Sequence, residues 1–185
     1  MNEFGIVLGR FQPFHIGHEE FIKAARERCS RLCIGITNLN PTEQQGKPSD
    51  DRRLDLDNNP FCYYDRMMMI EASLVDWGWE IQDFMLTPAP IERHETMRAF
   101  LPPPREAVFL TTIYDAWGEK KSTLLKDLGY EVVELWRRSP KDRKTSGTEI
   151  RDLIRHGRSR DDGKSWEHLV PRPVAQYIKN RDIII

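Results

Sequence analysis

The chain is 185 residues long, 39% hydrophobic and 31% charged, with a formal net charge of -1. That length suits a single α/β domain with a core of its own. No apolar run reaches a membrane span and no basic excess exists, which excludes a transmembrane protein and a general nucleic-acid binder. In chain order, residues 3–8 form an apolar run ending at Gly9, a buried-strand pattern. Residues 17–29 carry Phe21, Ile22, Ala24 and Ala25 on one face, a helix pattern. A second strand is expected over 31–37, then a long polar loop over 38–60, a helix over 63–75 and a strand over 80–86. Residues 91–100 read as a helix that Pro102, Pro103 and Pro104 terminate. Next come a strand over 107–112, a helix over 119–128 with Gly129 as its C-terminal cap, and a strand over 130–135. Helices over 146–156 and 171–179 close the chain, separated by a charged loop over 158–164.

Five strands alternating with helices predict a doubly wound, Rossmann-like α/β fold, its parallel five-stranded sheet covered by helices on both faces. Residues 1–185 read as one domain, with 158–185 as an extension packed on it. The acid at Glu3 and the absence of a long apolar stretch after it argue against a secretory leader. Cys29, Cys33 and Cys62 lack a CxxC pair, so a reducing, cytoplasmic setting is expected, with Cys29 and Cys33 as small core residues.

Sheets of this kind bind ligands at the carboxyl ends of their strands. The loop after the first strand reads Gly9-Arg10-Phe11-Gln12-Pro13-Phe14-His15-Ile16-Gly17-His18. Gly9 permits close approach of a ligand to the backbone. His15 and His18 flank Gly17, which opens a helix whose free N–H groups favour an anion. A lone histidine would read as a loop or cap residue; here strand, glycines, both histidines and the helix agree on a phosphate site. No acidic or cysteine partner stands at ligand spacing, so no protein metal site is expected. After the fifth strand comes Arg143-Lys144-Thr145-Ser146-Gly147-Thr148-Glu149-Ile150-Arg151. Ser146 or Thr145 with Glu149 makes a capping box, and the hydroxyls, Gly147 and the cations also suit a triphosphate.

G-R-F-Q-P-F-H-x-G-H together with S-G-T-E-I-R resembles the nucleotidyltransferases with HxGH and SxTxxR signatures, and among them the archaeal-type nicotinamide mononucleotide adenylyltransferases. Asn59-Pro60-Phe61, Asp65-Arg66, Pro88-Ala89-Pro90-Ile91 and Val170-Pro171 extend the resemblance over most of the chain. It implies transfer of AMP from ATP to nicotinamide mononucleotide, giving NAD and pyrophosphate. His15, His18 and Arg151 would be catalytic. Gly9, Arg10, Phe11, Gly17, Arg143, Ser146, Gly147 and Thr148 would bind ATP. Mg²⁺ would be held by the ATP phosphates and water. The expected partners are small molecules, with no nucleic acid or membrane, and the family is compatible with a homo-oligomer. One departure concerns the acceptor: the helix after Pro88-Ala89-Pro90-Ile91 lacks the tryptophan that the family places there. Asn38, Phe100, Thr112 and Trp117 are the candidate acceptor contacts. The alternatives are cytidylyl or adenylyl transfer to another small phosphate monoester or phosphonate, and a nucleotide-binding regulator without turnover.

Overall fold

The computed structural model describes residues 2–39, 56–157 and 165–181. Its strands are β1 (Asn2–Gly9), β2 (Cys29–Ile36), β3 (Phe84–Pro88), β4 (Ala107–Ile113) and β5 (Glu131–Arg137). Its α-helices are α1 (Ile16–Arg26), α2 (Tyr63–Asp76), α3 (His94–Arg98), α4 (Ala116–Asp127), α5 (Gly147–Gly157) and α6 (Arg172–Asn180). All strand pairings are parallel, in the order β3-β2-β1-β4-β5. This is the expected Rossmann-like α/β sheet. The order reverses between β1 and β4, so their carboxyl ends border a crevice.

Alternation along each strand divides the core. Val7, Leu32 and Ile34 pack with Ile22, Met69, Ile150, Val174 and Ile178 from α1, α2, α5 and α6. Ile6, Leu8, Cys33 and Phe109 pack on the other face with Met97 and Leu125 from α3 and α4. Cys29 and Cys33 are buried core residues, as expected, and Cys62 is exposed at the start of α2.

Two elements differ from the sequence expectation. The third strand starts at Phe84, because Glu80–Asp83 forms a turn: Asp83 N–H donates to the Glu80 carbonyl and the Glu80 N–H to the Asp83 carboxylate. The helix expected over 91–100 is only the five residues of α3; no side chain caps it at Arg93. Most of the 38–60 loop, and the charged loop at 158–164, lie outside the described residues. The described part of the C-terminal extension packs through Leu169, Val170 and Val174. Among the described residues no helix is long and apolar enough to cross a membrane.

Candidate active site

The first loop is built around the N-terminus of α1. His15 caps that helix: its Nδ1 accepts from the Gly17 N–H at 3.2 Å and the His18 N–H at 3.3 Å. A ring nitrogen that accepts carries no proton, so the neutral ring bears its proton on Nε2. His18 stacks on His15 with ring centroids 3.6 Å apart, while Phe11 meets His18 edge-on. Burial pushes the His15 pKa down to about 3, and Arg143 adds to the effect. Burial, then His15 and Arg10, also hold His18 well below the usual histidine range. Both imidazoles are therefore neutral near pH 7. The buried Nδ1 of His18 has no hydrogen-bond partner among the described residues.

The second motif meets the first. Arg151, on α5, is buried, and its Nη1 donates to the Gln12 carbonyl at 2.6 Å. Its Nη2 donates to Asn58 Oδ1 and Thr148 Oγ1. The guanidinium thus braces the two motifs against each other, with most of its donors already used on protein. Ser146 Oγ accepts from the Glu149 N–H, while the Glu149 carboxylate accepts from Thr145 Oγ1 instead of closing a capping box on Ser146. Gly147 lies so close to the first loop that a Cβ there would stand 2.4 Å from the Gln12 carbonyl oxygen.

Between the motifs lies a cavity of about 300 Å³ lined by Gly9, Arg10, Phe11, His15, Gly17, His18, Arg143, Ser146, Gly147, Thr148 and Arg151. All candidate catalytic and ATP-binding residues therefore share one cleft. Among the described residues no carboxylate lines this half; Lys121 and Lys144 add cations. A neighbouring cavity of about 410 Å³ shares Gly9, Arg10, His18, Thr112 and Arg143 with it and extends to Asn38 and Trp117. Three of the candidate acceptor contacts therefore line the cleft. Phe100 does not: it follows the short α3 and lines neither cavity, and its carbonyl accepts from Thr87 Oγ1.

Several cleft residues escaped sequence reading. Lys121 on α4, Tyr114 just after β4 and Trp136 on β5 line it. A register shift between Thr111 and Thr112 pairs Thr112 with Trp136, and the Trp136 Nε1 donates to the Tyr114 hydroxyl at 2.9 Å. Such irregularities re-aim side chains at sheet ends. Gln12 is clamped to the Phe61 backbone by two hydrogen bonds. The only sequence signal for that clamp was that both residues belong to recognisable motifs.

A parallel sheet with paired imidazoles at its switch point and a hydroxyl-rich, cation-flanked helix N-terminus defines a nucleotidyltransferase site. The chain belongs to the cytidylyltransferase-like family, whose model matches residues 6–153. It is 35% identical over 175 residues to the phosphonoformate cytidylyltransferase of Streptomyces viridochromogenes, covering 95% of this chain and 90% of that one. It is 30% identical over 182 residues to the nicotinamide-nucleotide adenylyltransferase of Ignicoccus hospitalis, covering 95% and 91%. Its fold matches a bifunctional NMN adenylyltransferase/ADP ribose pyrophosphatase from Francisella tularensis with a TM-score of 0.64 at 16% identity. That match covers 98% of this chain and about half, 50%, of the bifunctional one. The protein is an enzyme of the nucleotidyltransferase class, similar to the archaeal adenylyltransferases.

Proposed function

We propose that the chain transfers a nucleotidyl group from a nucleoside triphosphate to a phosphate or phosphonate oxygen of a small acceptor. The acceptor oxygen attacks the α-phosphorus, the bond from that phosphorus to the bridging oxygen breaks, and pyrophosphate leaves. The observation that carries this reading is the meeting of the stacked His15 and His18 with the α5 N-terminus in one cleft. The acceptor oxygen is already ionised near neutrality, so the work is alignment and charge stabilisation rather than base catalysis. His18, neutral and buried, donates to the α-phosphate as charge builds. His15 offers its Nε2–H to the phosphates. Arg10, Arg143, Ser146 and Thr148 hold the β- and γ-phosphates, with the backbone at Gly9, Phe11, Gly17 and Gly147 close enough to contribute. Arg151 keeps the two motifs in register. The described residues of the triphosphate half supply cations, imidazoles and hydroxyls, so Mg²⁺ fits as an ion carried on the nucleotide's phosphates, where it would offset their charge.

Two substrate pairs satisfy this chemistry. Adenylyl transfer from ATP to nicotinamide mononucleotide, giving NAD, is supported by the adenylyltransferase relatives. Nucleotidyl transfer to a compact phosphonate or phosphate acid is supported by the 35% identical cytidylyltransferase and by the acceptor half itself. There Arg10, Lys121 and Arg143 line the cavity together with Glu92 and Asp115, Asp115 being paired to Arg143 at 2.8 Å, and Phe100, two residues beyond α3, stands outside it. The cations suit a compact acid and Tyr114 and Trp117 on the same wall suit a ring, so the acceptor panel decides between the two pairs.

The test is pyrophosphate release from ATP and from CTP against nicotinamide mononucleotide, nicotinic acid mononucleotide and phosphonoformate. Release dependent on phosphonoformate supports the compact acceptor; release dependent on a pyridine mononucleotide transfers the assignment to NAD formation. Nucleotide binding without release for any pair overturns the catalytic reading in favour of a regulator.

A further inference from the structure

Arg66 lies on α2, is fully buried, and lines neither cavity of the cleft. Among the described residues its guanidinium donates only to backbone carbonyls. Nε reaches Cys62 at 3.2 Å, Nη1 reaches Arg10 at 2.9 Å and Thr37 at 2.7 Å, and Nη2 reaches Asn38 at 2.8 Å. Three of those carbonyls belong to the segments that leave β1 and β2, and Arg10, Thr37 and Asn38 all line the acceptor half of the cleft. Asn38 has a φ of 53°, the left-handed conformation that asparagine adopts more readily than other non-glycine residues. Arg66 holds the Asn38 carbonyl and Asn59 holds its side chain, where Asn59 Oδ1 accepts from Asn38 Nδ2 at 3.0 Å. A buried cation is costly to desolvate, and three of the four carbonyls this one serves belong to the post-strand segments. A core-filling role would be met more cheaply by an apolar side chain.

We propose that Arg66 is a positioning residue for the acceptor: its planar fork fixes the spacing between the post-β1 and post-β2 segments and so aims Arg10 and Asn38 into the acceptor half. The triphosphate half is braced separately, by Arg151 on Gln12. The fork geometry is required, because an ammonium at the end of a shorter stem cannot reach three segments at once. The assignment of that half to the acceptor rests on the function proposed above.

The decisive variant is Arg66→Lys, which keeps the charge. With the acceptor active in wild type, its kcat/KM is expected to fall about 10²-fold, mainly through KM, as for a misplacement of about 1 Å. The KM for the nucleoside triphosphate rises by a smaller factor, because Arg10 serves both halves while Arg151 holds Gln12 independently. Independently of turnover, amide hydrogen exchange is expected to accelerate in peptides spanning 9–12 and 36–39 and to stay unchanged in α5. If wild type turns over no substrate pair, the functional reading fails, and exchange alone decides the positioning role. Arg66→Gln, which removes the buried charge, repeats both measurements if the lysine variant does not fold. Wild-type acceptor KM and exchange overturn the proposal. So does an equal loss toward both substrates with exchange raised throughout, or failure of both variants to fold, since any of these makes Arg66 a core residue only.

Discussion

His15 and His18 share one stacked arrangement but carry different structural duties. His15 uses Nδ1 to cap α1, so its imidazole holds the helix as well as facing the cleft. His18 makes no such bond, and its Nδ1 lacks a partner. Removing them therefore has separable consequences. His18→Ala is expected to lower kcat by about 10²–10³-fold, the loss of one preorganised donor, with little change in the KM for the triphosphate. His15→Ala is expected to lower kcat too, and also to cost about 1 kcal/mol of stability through the lost cap. Steady-state kinetics and thermal unfolding of the two variants separate these effects. A His18→Ala enzyme with unchanged kcat and raised KM would reassign His18 to ground-state binding.

At the scale of elements, the strands announced themselves because buried parallel strands are unbroken apolar runs, as at Ile6–Leu8 and Val108–Leu110 in the core. Gly129 was legible as a cap and has the φ of 88° that the cap needs. The third strand and α3 were overdrawn, since the turn at Glu80–Asp83 and the uncapped start at Arg93 are settled by hydrogen bonds that apolar spacing does not encode. Both phosphate motifs were legible because their residues are contiguous. Arg66, Trp136 and the Gln12–Phe61 clamp were not, because their partners lie far along the chain or depend on a register shift. Gly147 shows what local reading misses: helix start chemistry tolerates alanine, but the packing of α5 against the first loop does not. A methyl there meets Gln12 backbone atoms at 2.4 and 3.2 Å, which cannot swing aside as a side chain would. Gly147→Ala is expected to cost about 1–3 kcal/mol of stability and to raise the triphosphate KM by separating the motifs. Unfolding midpoints and nucleotide titration check it; a variant with wild-type values of both would show that the two segments need not touch.

For the whole molecule, a net charge of -1 hides a local gathering of cations: Arg10, Lys121, Arg143, Lys144 and Arg151 line one cleft, with Arg143 paired to Asp115 and Lys144 to Glu20. Burial first, with Arg143 beside His15 and with His15 and Arg10 beside His18, keeps both rings neutral in the folded protein. In the unfolded chain both return to a pKa near 6.5. Below that value the unfolded state binds protons that the folded state refuses, so stability rises with pH and is lost as pH falls from about 6.5 toward about 3. The limiting slope is about 1.4 kcal/mol per pH unit for each histidine. Glu167 works in the same direction but lower: hydrogen bonds from Lys179 and Ser165 hold its carboxyl at about 2, so the stability it adds is present above its ordinary 4.5 and lost only below that. The acid limb between about pH 6.5 and about pH 5 therefore belongs to the histidine pair. Urea unfolding across that interval should show stability declining toward acid, and the double variant His15→Gln, His18→Gln should flatten the decline. Bound triphosphate supplies the opposite charge and raises both histidines, so in the acid interval, at about pH 5 to 6, nucleotide binding should take up protons, which calorimetry in buffers of different ionisation enthalpy reads directly. An undiminished slope in the double variant, with no proton uptake on binding in the wild type, would place the cleft's charge balance somewhere other than these two rings.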